Sequence, residues 1–170
     1  MFEMLTIIVI VGILAALAIP RLDWTAYRVN AEARNMVMQL AYAQRLAVSL
    51  QHNVLVTVDV TNRHLVVDED KNDDGLYQSS ERRRVIQLDD GVIFNRNGAP
   101  DLPAPAPTNA LTVITYRRDG SASTAGVIFM NSQRGVNSGN NNHARALEVI
   151  RATGRAMWYS YVSGTWRRMN

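Results

Sequence analysis

The run Asp70-Lys-Asn72-Asp-Asp74-Gly75-Leu76-Tyr77-Gln78-Ser-Ser-Glu81 carries oxygen-bearing side chains at the spacing D-x-[DN]-x-[DN]-G-x5-E, the pattern of a calcium-binding loop. Calcium takes about six to eight oxygens on a flexible loop. Asp70, Asn72 and Asp74 would supply side-chain oxygens, Leu76 a backbone carbonyl, Gln78 a direct or water-mediated contact, and Glu81 a bidentate carboxylate, with Gly75 at the sharp turn. The flanks read as strands, so this would be a calcium loop outside a helix-loop-helix setting. The same residues also read as an acidic, solvated hairpin turn closed by Asx hydrogen bonds. The sequence leaves both readings open, and Ca2+ is its one candidate cofactor. The chain has no cysteine, which removes disulfides, thiolate metal sites and cysteine nucleophiles and leaves packing, a partner or a metal to brace it.

Arg167 and Arg168 lie close in sequence to Trp158, Tyr159, Tyr161 and Trp166. Guanidinium groups beside aromatic faces suit phosphate contact and base stacking; the same aromatics also suit the packing of a terminal hairpin. Arg82-Arg83-Arg84 follows the acidic run directly and balances it or the charge of a neighbour. Eighteen Lys and Arg against fifteen Asp and Glu give +3, too slight to require nucleic acid or an anionic surface as partner. Enzymatic chemistry finds no support. His52, His64 and His143 lack metal-ligand spacing, there is no nucleophile elbow and no phosphate-binding glycine loop, and Gly120 to Gly126 is a Ser/Thr-rich turn. His64 reads as a strand residue and His143 as a loop residue.

These residues must be positioned by a chain of 170 residues and 47% apolar content, enough for one domain core. From Met4 to Ile19 sixteen consecutive residues contain one polar side chain, Thr6, and no charge. At about 1.5 Å per residue they cover roughly 24 Å, a marginal span of a ~30 Å hydrocarbon core. A cleaved signal peptide fits poorly. Glu3 stands where such a peptide is basic, no small-x-small site follows, and the helical pattern continues. Leu22, Ala26, Val29, Ala33, Met36, Leu40, Ala43 and Ala47 recur at spacings of four and three, while Arg21, Asp23, Arg28, Glu32, Arg34, Asn35, Gln39 and Arg45 occupy the other face. The pattern predicts one helix from Met4 to about Gln51, on the order of 70 Å long, with a kink near Gly12 to Pro20, where proline removes a donor.

Beyond His52 the period changes to alternation. Strands are expected at Val54 to Val60 and His64 to Val67, paired around Thr61-Asn62-Arg63, then at Arg83 to Leu88, Val92 to Asn95, Leu111 to Tyr116, Gly126 to Met130, Ala144 to Arg151, Arg155 to Val162 and Thr165 to Arg168. The fold class is α+β: a long N-terminal α-helix, apolar in its first third and kinked near Pro20, packed on a β-rich head of antiparallel strands. The expected division is residues 1–52 for the helix (1–20 in membrane or filament core, 21–52 amphipathic) and 53–170 for the head. Ala99 to Pro107 reads as a stiff loop and Asn131 to Asn142 as a mobile one.

The N-terminal run, with Glu3, Gly12 and Pro20 at their relative spacing, closely resembles the signature of type IV pilins and type II secretion pseudopilins. In the head, the acidic turn, Thr115-Tyr116-Arg117-Arg118-Asp119-Gly120-Ser121, and Ala146-Leu147-Glu148-Val149-Ile150-Arg151-Ala152-Thr153-Gly154-Arg155 resemble the GspH/FimT-like subgroup. The resemblance implies a structural subunit of a pilus-like or pseudopilus filament. Such a subunit is processed by prepilin peptidase, methylated at its new N-terminus, and held in the inner membrane before the assembly machinery draws it into a cell-surface filament or periplasmic pseudopilus beside copies of itself or other pilins. By the same resemblance Glu3 offsets the terminal amine of a neighbouring subunit, and Gly12 and Pro20 belong to the assembly helix. The family pattern places two further residues and a processing glycine ahead of this stretch; the sequence does not contain them, so either the start lies within a longer gene or Met1 is the processed residue. The alternative is a tip subunit with a binding role such as DNA uptake, through a basic Gly-Arg motif. Here Gly154-Arg155-Ala156-Met157 keeps one arginine and has methionine at the second place, so DNA is the weaker reading, with Arg155, Arg167 and Arg168 as its contacts.

Overall fold

The structure, a computed structural model, describes residues 2–18 and 24–169, and side chains of the first stretch over residues 2–14. Helix α1 is Phe2–Ala18 and helix α2 is Trp24–Leu50. The single helix expected over Met4 to Gln51 is thus described as two. Pro20 with its kink, and Arg21, Leu22 and Asp23, lie outside the described residues. Of the membrane or filament-core segment expected over 1–20, residues 1, 19 and 20 lie outside the described residues. Among the described residues no helix is long and apolar enough to cross a membrane, and the seventeen residues of α1 rise only about 26 Å against a core of ~30 Å.

Along α2 the apolar period holds. Val29, Ala33, Met36, Leu40, Ala43 and Ala47 are all buried, one residue per turn of a 3.6-residue helix. Glu32, expected on the polar face, is buried with them. It sits at the edge of the stripe, where Asn35 Nδ2 donates to its Oε1 at 3.4 Å, and desolvation pushes its carboxyl pKa up.

The head is two antiparallel sheets. One, in the order β3-β2-β1-β5, is built from β1 (Asn53–Asp59), β2 (His64–Asp70), β3 (Arg83–Gln87) and β5 (Val113–Tyr116). The other, β4-β6-β7-β8-β9, is built from β4 (Val92–Ile93), β6 (Gly126–Ser132), β7 (Arg145–Val149), β8 (Ala156–Val162) and β9 (Thr165–Met169). Each expected strand is present, within a few residues of its expected ends. In β1, Val54, Val56 and Val58 are buried and alternate with half-buried residues, as a strand with one face on a core requires. The α2 stripe closes one core with Leu65, Ile114, Met130, Leu147 and Trp158 from both sheets. A smaller cluster of Leu102, Val127, Phe129 and Ala146 covers the outer face of the second sheet, and so gives the proline-rich loop its task.

The segment Asn131 to Asn142, expected to be mobile, is pinned. It contains helix α3 (Gln133–Asn137) and a 3-10 turn at Asn141–His143. Ser132 Oγ accepts from Gly135 N at 2.8 Å and hydrogen-bonds His143 Nδ1 at 2.8 Å, which makes His143 a buried residue of this turn.

Candidate functional site

Three surfaces hold the residues singled out by sequence. The first is α1. Every described side chain from Phe2 to Leu14 is exposed, Phe2 to 88%. Glu3 lies in its first turn, and a Cβ added at Gly12 would meet nothing within 4 Å. Among the described residues nothing therefore requires a glycine there.

The second is the acidic turn between β2 and β3. Asp70 accepts the backbone N–H of Asp74 at 3.0 Å on Oδ1 and of Gly75 at 2.9 Å on Oδ2. Asp74 accepts from Leu76 N at 2.8 Å, from Asn72 Nδ2 at 2.9 Å and from Gln78 Nε2 at 2.7 Å. These donors, the Leu76 amide foremost, hold its carboxyl below the usual carboxylate range. Glu81 accepts from Lys71 N and Gln78 N, both at 2.8 Å. Asp73 accepts from Asn53 N at 3.0 Å and pairs with Arg118. Gly75 has φ +77°, the left-handed region that the turn needs.

This geometry lends the calcium reading no support. Each carboxylate oxygen of Asp70, Asp74 and Glu81 already receives an N–H, Asn72 and Gln78 turn their amide nitrogens toward Asp74, and Leu76 takes part through its N–H. Among the described residues no group of three or more His, Cys, Asp or Glu is placed to hold a metal ion. The residues close the turn by hydrogen bonds, so the alternative reading describes them and no step is routed through calcium. Of the three arginines that follow, Arg83 forms two hydrogen bonds to Asp68, at 2.7 and 2.8 Å, and lies 3.6 Å above the Tyr77 ring.

The third surface is a groove of about 460 Å³ between α2 and the β8–β9 hairpin, lined by Val37, Met38, Met157, Trp158 and Met169 and by Arg34, Arg155 and Arg168. Arg34 lies 5.7 Å from the Trp158 ring centroid. Among the described residues none forms an ion pair with Arg34, Arg155 or Arg168. Arg167 is separated from them and lines a different hollow with Asn30, Asn142 and Ser160. Nor are the aromatics open stacking platforms. Trp158 is buried, Tyr159 Oη donates to Glu148 Oε2 at 2.7 Å, and Trp166 packs 5.0 Å from Tyr161 while its Nε1 donates to Pro100 O at 3.0 Å. Sequence reasoning placed Arg34 on a solvated helix face. Only the pairing of strands more than a hundred residues away brings it beside Arg155 and Arg168, and no local signal carries that.

Compared with known proteins, residues 32–153 match the family described as Type II transport protein GspH. Among solved structures, the minor pseudopilin EpsH from the type 2 secretion system of Vibrio cholerae aligns with a TM-score of 0.51 at 15% identity, over 84% of this chain and 96% of that one. A crystal structure described as the minor pseudopilin EPSH of the same Vibrio cholerae system aligns with a TM-score of 0.49 at 14% identity, over 84% and 95%. At 15% identity the first likeness speaks to the fold alone. No curated protein matches the chain in sequence.

Proposed function

We infer that this chain, which belongs to the GspH family of type II transport proteins, enters a type II secretion pseudopilus through α1 while its head packs against neighbouring subunits. The family is one of structural subunits, and the chain is not an enzyme. The observation that carries the reading is α1 itself, whose side chains are exposed from Phe2 to Leu14. Apolar surface of that extent is unfavourable in water, at about 25 cal/mol per Å², and is stabilised beside other apolar helices.

In this proposal residues 1–52 assemble and residues 53–170 face outward, and Glu3 offsets a positive charge on the neighbouring subunit. A carboxylate in an apolar bundle is costly unless a cation accompanies it. Gly12 and Pro20 belong to the same packing surface. Processing, methylation and a stage in the inner membrane are implied by the resemblance. The alternative of a tip subunit that binds DNA gains no support from Arg167, which lies apart, or from the packed aromatics. Glu3→Ala tests the assembly role. It should lower recovery of the chain in pseudopili while leaving the near-UV circular dichroism of the head unchanged; normal recovery would count against the role of Glu3.

A further inference from the structure

Glu69, in β2, carries a carboxylate that the fold buries and leaves without a partner. The residue is 6% exposed, and among the described residues its side chain forms neither a hydrogen bond nor an ion pair. A buried carboxylate is costly unless something donates to it, and most buried polar groups are so met. Glu69 lines a pocket of about 190 Å³ between α2 and the β2–β3 pair. Val67, part of the core beneath α2, shares its face of the strand, and Tyr42 and Leu46 of α2 form the facing wall. Arg82 and Arg84, both exposed, form the rim. Glu69 N donates to Arg82 O at 2.9 Å, so the two residues face each other across the ladder, yet no ion pair joins their side chains. Arg84 stands opposite Val67 in register and is engaged by α2, 5.1 Å from the Tyr42 ring centroid. Arg83, between them, turns to Asp68 on the other face.

We propose that this pocket binds an aliphatic chain with an ammonium at its inner end and a carboxylate at its outer end: a lysine-type ω-amino acid, free or as the carboxy-terminal lysine of a peptide. The order of charges in the pocket carries the choice. A simple cation would have to pass two guanidinium groups to reach Glu69, and a simple anion would meet the carboxylate on the floor, so each is opposed by one end of the site. A chain that bears both charges satisfies both ends. Its ammonium brings three donors to Glu69 on a flexible stem. Its carboxylate accepts charge-assisted hydrogen bonds from Arg82 and Arg84, and its methylenes lie against Leu46, Val67 and the Tyr42 ring. The volume suits one such chain, being well below the ~300–1,000 Å³ of sites for drug-sized ligands. The site belongs to the head, and it goes beyond the subunit reading without depending on it.

Isothermal titration of the full chain, purified in detergent, with ε-aminocaproate tests the site. The parent should take up the probe saturably with a Kd of about 1 mM, and its melting temperature should rise with probe concentration. Caproate, which lacks the ammonium, and hexylamine, which lacks the carboxylate, should each bind at least about tenfold more weakly. Glu69→Gln keeps the shape of the floor and should lose about tenfold in affinity. Arg82→Ala, a change to an exposed side chain, should lose about threefold, with its melting temperature in the absence of probe equal to the parent's. A peptide ending in lysine, compared with the same peptide amidated at that end, separates the two sources. Preference for the free-acid peptide assigns the site to a peptide end, binding of ε-aminocaproate alone assigns it to a small molecule, and either upholds it. No saturable uptake by the parent, equal affinity for hexylamine, or equal affinity in Glu69→Gln overturns the proposal. So does a lower melting temperature of Arg82→Ala without probe, which would make Arg82 the carboxylate's own partner.

Discussion

Gln44 Nε2 donates to the carbonyl oxygen of Thr153 at 2.6 Å, and the same nitrogen donates to Gly120 O at 2.8 Å. One side chain of α2 thus ties down the β7–β8 turn and the β5–β6 connection together. Gly154 is what lets them approach. Its φ is +63°, and an added Cβ would lie 2.1 Å from Gly120 O and 2.8 Å from Gln44 Nε2.

Gly154→Ala should therefore cost at least about 2 kcal/mol, since a left-handed conformation and a backbone clash fall on one residue. Gln44→Ala, which leaves two carbonyls short of a donor, should cost about 1 to 2 kcal/mol. Thermal unfolding of the two variants checks both, and an unchanged melting temperature for Gly154→Ala would rule out this close approach.

Arg83 neutralises Asp68, whose side chain is almost wholly buried. Removing the cation leaves a buried charge without its partner, which is worse than removing the pair. Arg83→Met should destabilise the head by roughly 2 kcal/mol, and the double variant Arg83→Met with Asp68→Leu should recover most of the loss. A double variant no more stable than Arg83→Met would contradict a charge penalty.

Calcium at millimolar concentration should leave the melting temperature unchanged, because the turn's carboxylates are occupied by N–H donors. A ligand bound only by the folded state raises stability by mass action. A rise with calcium that chelator reverses would show that the turn rearranges to take the ion.

Glu32 gives a pH signature. Burial favours its neutral form and raises its folded-state pKa above the ordinary 4.5. Between those two values the folded chain keeps a proton that the unfolded chain has released, so this residue's contribution falls as pH rises through the window. Above it the cost of the buried charge is fully present. Glu32→Gln should then be more stable than the parent at neutral pH, with the difference vanishing below pH about 4; an equal gain at both ends would assign the effect to something other than this proton.

Much of this architecture is legible in residue order, because β1 alternates by itself and α2 repeats its apolar stripe every turn. Val54, Val56 and Val58 need no partner to be recognised as one face of a strand. Glu32 is not legible in the same way, since it borders the stripe by less than a helical step and only the packed sheets decide whether the border is wet. The acidic turn shows the opposite limit. Side chains at cation-ligand spacing are also side chains at Asx-turn spacing, and the backbone N–H groups of Asp74, Gly75 and Leu76 that the carboxylates meet are invisible in a residue pattern. The groove is a third case: Arg34, Arg155 and Arg168 meet through tertiary packing alone.

The central claim is that α1 is an assembly element and not part of the head's own core. Removing residues 2–18 from the chain, and returning the shortened and full forms to cells lacking it, measures this most directly. The shortened chain should match the full one in the near-UV circular dichroism of its head, yet be absent from isolated pseudopili and leave secretion defective. Full secretion supported by the shortened chain, or a head that unfolds without α1, would contradict the account.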